Sequence, residues 1–272
     1  MIKFPGLGLE FNISKVAISI LGINIHWYAI LIVLAIILSL IILKLNSKNE
    51  KVKYEDILDL AIYLLPTSII CARLYYIAFN LEYYITNPSE ILNLKSGGLA
   101  IYGGIIGGAI TAYIYCKIKK LNFLSMLDQI APALALSQAI GRWGNFINIE
   151  AYGTETTNLF RMGISENGIY KEVHPAFLYE SIADFIIFLI LLKIGKKRQK
   201  SGERTIIYLM LYSFVRFFVE GIRIDSLMLN NIRISQILSL SIFVVTCSML
   251  IYNLIKNRKP AKNSQKWRTK NW

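Results

Sequence analysis

A cluster of polar residues interrupts a long apolar stretch between residues 141 and 153. The segment GRWGNFINIEAYG follows the apolar run APALALSQAI and brings Arg142, Asn145, Asn148 and Glu150 close together, with glycines at both ends. A guanidinium offers paired N–H donors that suit phosphate oxygens, and glycines let the backbone approach a ligand closely. The spacing therefore indicates a binding site for an anionic ligand at the end of an apolar segment.

The composition places this segment in a membrane. Of the 272 residues, 55% are hydrophobic and only 17% are charged, and the mean hydropathy is +0.48. Soluble domains carry about 25% charged residues. Cys71, Cys116 and Cys247 lie far apart within apolar runs and predict neither a metal site nor a disulfide framework. We therefore expect residues 1–272 to form a single integral membrane domain.

About seven segments are long and apolar enough to cross a bilayer, which takes roughly 20 residues each. They cover residues 22–43, 57–79, 99–116, 124–147, 175–194, 205–223 and 234–255. The expected fold is thus an all-α polytopic membrane protein with a small loop region on its outer face. In the third span, Gly103 and Gly107 have the spacing typical of close helix packing.

Lysine and arginine concentrate after the first, third, fifth and seventh of these spans. The positive-inside rule then places the N-terminus outside and the C-terminus in the cytoplasm. The net charge of +13 records this topology and does not indicate nucleic-acid binding. The basic tail, residues 257–272, is expected in the cytoplasm, either solvated or touching anionic lipid.

The segments expected outside differ in kind. Residues 1–20 (the first arm) and residues 80–98 (the second arm) carry aromatic side chains and few charges, which predicts that they lie on the bilayer surface. Residues 148–174 form the longest outer loop, and Asn167-Gly168 within it predicts a small hairpin.

Polar residues occur near the outer end of six of the seven predicted spans. They are His26, Tyr28, Arg73, Tyr102, Arg142, Asn145, Asn148, Glu180, Arg216, Glu220 and Arg223. Charged groups are costly inside a bilayer, so their common depth indicates a protein-lined cavity open to the outer leaflet. At headgroup depth, arginines in such a cavity suit the phosphate of a phospholipid.

A simpler role would also account for several of these residues. Arg73 and Arg223 could extend to lipid headgroups without binding substrate, and His26 and Tyr28 could belong to an aromatic belt. Glu220 could serve only as the partner of Arg216, which lies four residues earlier.

The sequence holds no paired-carboxylate metal cluster, no histidine-rich set and no phosphate-binding loop. We therefore expect any chemistry to proceed without metal, ATP or another cofactor. A transporter or lipid scramblase with an arginine-lined phospholipid cavity is the main alternative to an enzyme. A transporter should show internal repeats and polar groups near mid-membrane, and the chain shows no convincing repeat. A structural membrane protein with an accidental polar belt is a third interpretation.

The ordered motifs resemble those of the prolipoprotein diacylglyceryl transferases, bacterial enzymes that lipidate lipoprotein precursors. GRWGNFINIEAYG resembles the family signature. HWY at 26–28, GGLAIYGG at 97–104, HPAFLYE at 174–180 and VRFFVEGIR at 215–223 resemble further family motifs in the same order. The resemblance extends over nearly the whole chain.

This resemblance implies the first step of bacterial lipoprotein maturation. The diacylglyceryl group of phosphatidylglycerol would pass to the thiol of the lipobox cysteine of a secreted prolipoprotein, forming a thioether and releasing glycerol phosphate. The implied partners are phosphatidylglycerol, prolipoprotein signal peptides and membrane lipids, with no nucleic acid. The implied location is the bacterial plasma membrane, with the active site facing the outer leaflet.

The reaction needs a stabilised leaving phosphate, a positioned lipid and a deprotonated thiol. We expect Arg142 and Arg216 to stabilise the phosphate. Glu150, Glu220 and Tyr102 complete the expected catalytic set. The expected substrate-binding residues are Tyr28, His26, Asn145, Asn148, Gly153, Arg73, His174, Glu180 and Arg223.

The chain departs from the family pattern at one position. Many members read His-Gly-Gly where this chain has Tyr102-Gly103-Gly104. A thiol with a pKa of about 8.5 needs a base or a nearby cation at neutral pH, and a phenol is a weak base there. Tyr102 is therefore expected to orient the lipid or to relay a proton, and His174 and Glu150 are the other candidate bases.

Overall fold

A computed structural model describes residues 1–20, 22–47, 52–93, 97–166, 168–195, 200–230 and 232–258. Eight α-helices lie within these residues: α1 (Trp27–Asn46), α2 (Tyr54–Ala78), α3 (Leu81–Thr86), α4 (Ile101–Ile118), α5 (Phe123–Asn148), α6 (Ala176–Gly195), α7 (Glu203–Ile222) and α8 (Ile234–Arg258). Apart from the short α3, they correspond to the seven predicted spans. The predicted class, an all-α polytopic membrane protein, is confirmed.

Among the described residues, six helices are long and apolar enough to cross a membrane: α1, α2, α4, α5, α7 and α8. The remaining predicted span forms α6, but it carries Glu180, Asp184 and Lys193. Glu180 and Asp184 are fully buried, at 1% and 0% exposure. Its two acidic side chains are therefore turned into the protein, whereas Lys193 near the end of the helix is exposed.

Short antiparallel strands surround the helix ends. They are β1 (Ile2–Phe4), β2 (Leu9–Phe11), β3 (Val16–Ile20), β4 (Ile23–His26), β5 (Met162–Glu166), β6 (Ile169–Val173), β7 (Met228–Leu229) and β8 (Ile232–Arg233). A four-stranded sheet has the order β2-β1-β5-β6, and β3–β4 and β7–β8 form separate pairs. The hairpin predicted in the outer loop is confirmed as β5–β6, with left-handed backbone at Gly168 (φ 81°), although Asn167 lies outside the described residues.

The helices and strands group into two compact units. The larger unit contains residues 1–39 and 131–272, and the smaller contains residues 40–130. In the larger unit, the four-stranded sheet buries its apolar side chains against the end of α5 and the start of α6. The residues of this core are Ile2, Phe4, Phe146, Tyr152, Met162, Ile164, Val173 and Phe177. Phe146 of α5 stacks on Phe177 of α6 with 4.7 Å between ring centroids, which fixes where these two helices meet.

The smaller unit is built on the close contact of α2 and α4. A Cβ atom added at Gly103 would lie 2.4 Å from the carbonyl oxygen of Cys71, and one added at Gly107 would lie 2.4 Å from the Cys71 Cβ. Real Cβ atoms do not approach so closely, so only glycine fits at either position. The helix-packing role predicted for these glycines is confirmed.

The two arms contain regular structure. The first arm contains β1, β2 and β3, and the second contains α3 and a 3-10 helix at Pro88–Leu92. Their location on the bilayer surface stays a prediction. Most of the predicted basic tail, residues 259–272, lies outside the described residues, as do residues 94–96 of the second arm.

Candidate functional site

Two arginines and two glutamates from three helices form a connected network in the larger unit. Arg142 of α5 and Arg216 of α7 both donate to the carboxylate of Glu180 on α6. The Nη1 of Arg216 lies 3.2 and 3.0 Å from the two Glu180 oxygens. Its Nη2 lies 2.5 Å from Oε2 of Glu220, one helical turn later. The four charges balance, as groups withdrawn from water require.

The aromatic contacts between α5 and α6 position this network. Trp143 packs edge-on against Phe177 with 5.6 Å between ring centroids. The Ser181 hydroxyl donates to the carbonyl oxygen of Ala139 at 2.8 Å and links the two helices directly. Glu180 precedes Ser181, so the same contacts hold its carboxylate opposite Arg142.

The sequence motif that follows Arg142 forms a chain of hydrogen bonds. Arg142 Nη1 donates to Asn145 Oδ1 at 3.4 Å, and Asn145 Nδ2 donates to Glu150 Oε1 at 3.0 Å. Asn148 donates to the same Glu150 oxygen at 3.3 Å. Left-handed backbone at Ile149 (φ 57°) ends α5 and turns the chain back toward Asn145. The motif thus connects the buried network to the exposed carboxylate of Glu150.

Tyr28 lies directly against the backbone of this motif. A Cβ atom added at Gly144 would lie 2.2 Å from the Cδ2 atom of the Tyr28 ring. The glycine therefore creates the space that the ring occupies beside Asn145. His26, two residues earlier, pairs with Val16 at the end of β4 and is exposed.

Gly153 is the point where three chain segments meet. Its N–H donates to the carbonyl oxygen of His174 at 2.9 Å, and it forms a backbone bridge to Arg223. The next N–H, of Thr154, donates to the carbonyl oxygen of Ile222 at 2.8 Å. A Cβ atom at Gly153 would lie 2.7 Å from that of His174. The glycine thus joins the end of the motif to the segments that begin α6 and end α7.

Two further predicted site residues of the larger unit, His174 and Arg223, have local partners. The Nδ1 atom of His174 lies 3.2 Å from the Tyr179 hydroxyl. Arg223 forms a two-point ion pair with Asp225, with bonds of 2.9 and 2.8 Å. Burial raises the pKa of Asp225, but the hydrogen bonds and charge of Arg223 outweigh this effect, and the pKa is lowered overall. Asp225 thus keeps its charge over a wide pH range.

Arg73 and Tyr102 belong to the smaller unit. Arg73 is 5% exposed and donates to the backbone carbonyls of Glu90, Ile91, Asn93, Gly97 and Gly98. These bonds use all the N–H groups of its guanidinium and tie the second arm to α2. Tyr102 lies in the first turn of α4 and is 39% exposed. A headgroup contact from Arg73 stays a prediction and would require one of these bonds to break.

Comparison with known proteins places the chain in a family. A model of the prolipoprotein diacylglyceryl transferase family matches residues 15–252. The chain belongs to this family. A phosphatidylglycerol–prolipoprotein diacylglyceryl transferase of Finegoldia magna is 50% identical over 232 residues, which cover 85% of this chain and 92% of that protein. A protein of the same name from Clostridium novyi is 44% identical over 255 residues, covering 92% and 99%.

Membership in the prolipoprotein diacylglyceryl transferase family identifies the chain as a transferase and a multi-pass membrane protein. The five motifs noted in the sequence, from residue 26 to residue 223, all fall within the matched region. Within the described residues, no group of three or more His, Cys, Asp or Glu side chains is arranged to hold a metal ion.

Sequence reasoning missed two acidic residues that lie beside the predicted site residues. Asp184 lies four residues after Glu180 in an otherwise apolar helix and is completely buried. An ionisable residue in such a helix is itself a signal of function, and it would have found Asp184. Asp225, the partner of Arg223, lies in a short polar segment that carries no such signal.

Proposed function

We propose that the chain transfers the diacylglyceryl group of phosphatidylglycerol to the lipobox cysteine thiol of prolipoproteins. The carbon–oxygen bond between the glyceryl group and the phosphate breaks, a thioether forms, and glycerol phosphate leaves. The names of three relatives that are 44%, 49% and 50% identical to this chain support this activity over a transporter or scramblase. The structural observation that carries the proposal is the paired placement of Arg142 and Arg216 on Glu180.

The leaving phosphate gains negative charge as its bond to carbon breaks. Arg142 and Arg216 already converge on one point, and Glu180 and Glu220 hold them there before substrate arrives. Donors that are fixed in advance stabilise developing charge without having to reorganise. The arginine side chains are 19% and 16% exposed, so a phosphate can approach them, whereas both glutamates are only 2% exposed.

The lipid must also be held with its carbon–oxygen bond in line with the incoming thiol. Tyr28 and Asn145 are suited to this task, because the ring of Tyr28 lies against the residue that precedes Asn145. Asn145 in turn contacts both Arg142 and Glu150. The exposed Glu150 carboxylate is also a candidate to accept the thiol proton, together with His174 and Tyr102.

The proposed location is the bacterial plasma membrane, with the N-terminus outside and the site facing the outer leaflet. The alternation of lysine-rich and arginine-rich loops supports this orientation through the positive-inside rule. The orientation suits the proposed substrates, because a secreted prolipoprotein presents its lipobox at the outer face. The same proposal includes the partners of the chain. We propose that it recognises the lipobox of prolipoproteins, takes lipid from the surrounding membrane and has no nucleic-acid partner.

A lipidation assay tests the activity. Purified protein in detergent is mixed with phosphatidylglycerol and a lipobox peptide, and the peptide mass is followed. We expect a diacylglyceryl mass gain that Arg142→Ala abolishes and that the control Arg161→Ala retains. Arg161 forms an ion pair with Glu172 of β6 in the four-stranded sheet, so the control also removes one paired arginine. No mass gain with the unmodified protein, under conditions where a relative is active, would refute the proposal.

The identity of the base is tested in the same assay. Tyr102→Phe removes the phenolic oxygen and keeps the ring. A full rate for this variant would exclude the hydroxyl as a required base or proton relay. Glu150→Gln and His174→Asn then separate the two other candidates, because only the variant that lacks the base should lose rate in a manner that higher pH restores.

A further inference from the structure

Asp184 is a buried carboxyl group for which the structure provides no hydrogen-bond donor. It lies in the third turn of α6 and is 0% exposed. Among the residues that the structure describes, neither of its side-chain oxygens has a hydrogen-bond partner. An ionised carboxylate in such surroundings carries a large desolvation cost, whereas the protonated acid is far cheaper to bury.

The position of Asp184 relates it to the arginine–glutamate network. Side chains four residues apart share a helix face, and helical side chains lean toward the N-terminus. The Asp184 side chain therefore lies over the turn that carries Glu180. The titratable and charged groups that interact electrostatically with Asp184 are Glu180 from its own helix, Arg142 from α5, and Arg216, Tyr208 and Tyr212 from α7.

Tyr208, Arg142 and Arg216 already have other partners. The Tyr208 hydroxyl donates to Gln138 Oε1 at 2.8 Å. Arg142 and Arg216 are already matched one to one by Glu180 and Glu220. A charged Asp184 would therefore give the network a net negative charge, which would oppose binding of an anionic lipid phosphate.

When a phosphate binds, the Glu180 carboxylate needs a new hydrogen-bond donor, which a protonated Asp184 can supply. Glu180 accepts hydrogen bonds from the terminal nitrogens of both arginines, and these are the donors that a phosphate takes in a two-point contact. When these N–H groups form hydrogen bonds to a phosphate, the buried Glu180 carboxylate loses hydrogen bonds. A buried anion that loses a donor is destabilised unless another donor replaces it.

We propose that Asp184 is a positioning residue that is protonated. Its O–H group donates a hydrogen bond to the Glu180 carboxylate when the lipid phosphate binds the arginines. This inference rests on the proposed function, since it requires a phosphate at Arg142 and Arg216. The proton stays between the two carboxyl groups, so no net transfer accompanies binding. Asp184 acts on the substrate only through Glu180 and the arginines.

Two substitutions test the inference in the lipidation assay. Asp184→Asn keeps a donor, because its amide N–H can replace the acid O–H. Asp184→Leu removes the donor and keeps the branched shape of the side chain, with two methyl groups in place of the two oxygens. We expect Asp184→Leu to raise the KM for phosphatidylglycerol about tenfold or more with kcat much less affected. Its thermal unfolding midpoint should not fall, because an apolar side chain replaces a carboxyl group without partners.

The pH dependence provides a readout that a purely structural role would not change. With the native residue, the KM for phosphatidylglycerol should rise at alkaline pH as the Asp184 proton is lost. With Asp184→Asn, the KM should be near the native value at neutral pH and should lack this alkaline rise. The amide has no proton to lose in this range.

Three results would overturn the inference. One is an Asp184→Leu variant with the native KM. A second is an Asp184→Asn variant with the native alkaline rise in KM or with the defect of the leucine variant. A third is parallel loss of kcat and thermal stability in Asp184→Leu, which would assign Asp184 to folding. Absence of transfer by the unmodified protein would be a different result, because it refutes the proposed function itself.

Discussion

Gly144 and Gly141 provide a matched test of how the motif positions Tyr28. Both lie in α5, three residues apart, and both can be changed to alanine. A Cβ atom at Gly144 would lie 2.2 and 2.7 Å from two atoms of the Tyr28 ring. At Gly141 an added Cβ would meet no described atom within 4 Å apart from its chain neighbours and the adjacent backbone of its own helix. Both substitutions thus have the same effect on the helix backbone, but only Gly144→Ala places an atom against the Tyr28 ring.

The expected magnitudes follow from these distances. Replacing glycine by alanine inside a helix stabilises it by about 0.8–1.0 kcal/mol, and Gly141→Ala should show this gain. Gly144→Ala has the same gain but must displace the Tyr28 ring, and such overpacking costs about 1–3 kcal/mol. The difference between the variants should therefore lie near 1–3 kcal/mol. Loss of the ring's position beside Asn145 should also reduce lipidation about tenfold or more.

Thermal unfolding in detergent and the lipidation rate measure the two effects. Gly141→Ala should unfold at or above the native midpoint and keep its rate. Gly144→Ala should unfold lower than Gly141→Ala and lose rate. Adding Tyr28→Ala to each variant removes the collision, so the stability difference between the two glycine sites should disappear. Equal midpoints and equal rates for the two single variants would refute the proposed role of Gly144.

Three further predictions concern charged residues. Arg73→Lys should speed proteolytic cleavage of the second arm, because lysine has fewer donors than the five carbonyl bonds require; an unchanged cleavage rate would contradict this. Glu220→Gln should lower the free energy of unfolding by up to about 3 kcal/mol, and with it the unfolding midpoint, because Arg216 loses one buried counter-charge. An unchanged midpoint would show that Glu180 alone neutralises Arg216. Because the pKa of Asp225 is lowered in the folded protein, its charge contributes to folding stability. This contribution is fully present above the pKa that Asp225 has in the unfolded chain and is lost as the pH falls through the lowered pKa. The midpoint difference between native protein and Asp225→Asn should therefore shrink in acid, and a pH-independent difference would show that Arg223 does not depend on this charge.

Hydropathy and local spacing predicted the elements whose causes are local. The seven long helices, the glycine packing of α4 and the β5–β6 hairpin all follow from residues near one another in sequence. The i,i+4 spacing of Arg216 and Glu220 likewise predicted a shared face, and the two side chains form an ion pair.

Contacts between distant segments could not be predicted in this way. β1 and β2 have three residues each, too few to show a clear alternation, yet β1 pairs with β5 some 160 residues later, with Lys3 opposite Gly163. Sequence spacing also gave Glu180 only a general role in substrate binding. Its two arginine partners lie 38 residues before it and 36 residues after it, and no local rule connects them.

Burial decides how a network with balanced charges can attract an anion. Arg142, Arg216, Glu180 and Glu220 sum to zero formal charge, so net charge does not favour a phosphate. The glutamates are 2% exposed, whereas the arginines are 19% and 16% exposed, so the positive ends lie on the accessible side. An approaching phosphate meets guanidinium groups first, and the carboxylates behind them are farther away and hold the guanidiniums in place. The proposed phosphate site is therefore an oriented dipole, whose positive end suits an anion although the protein carries no excess charge there.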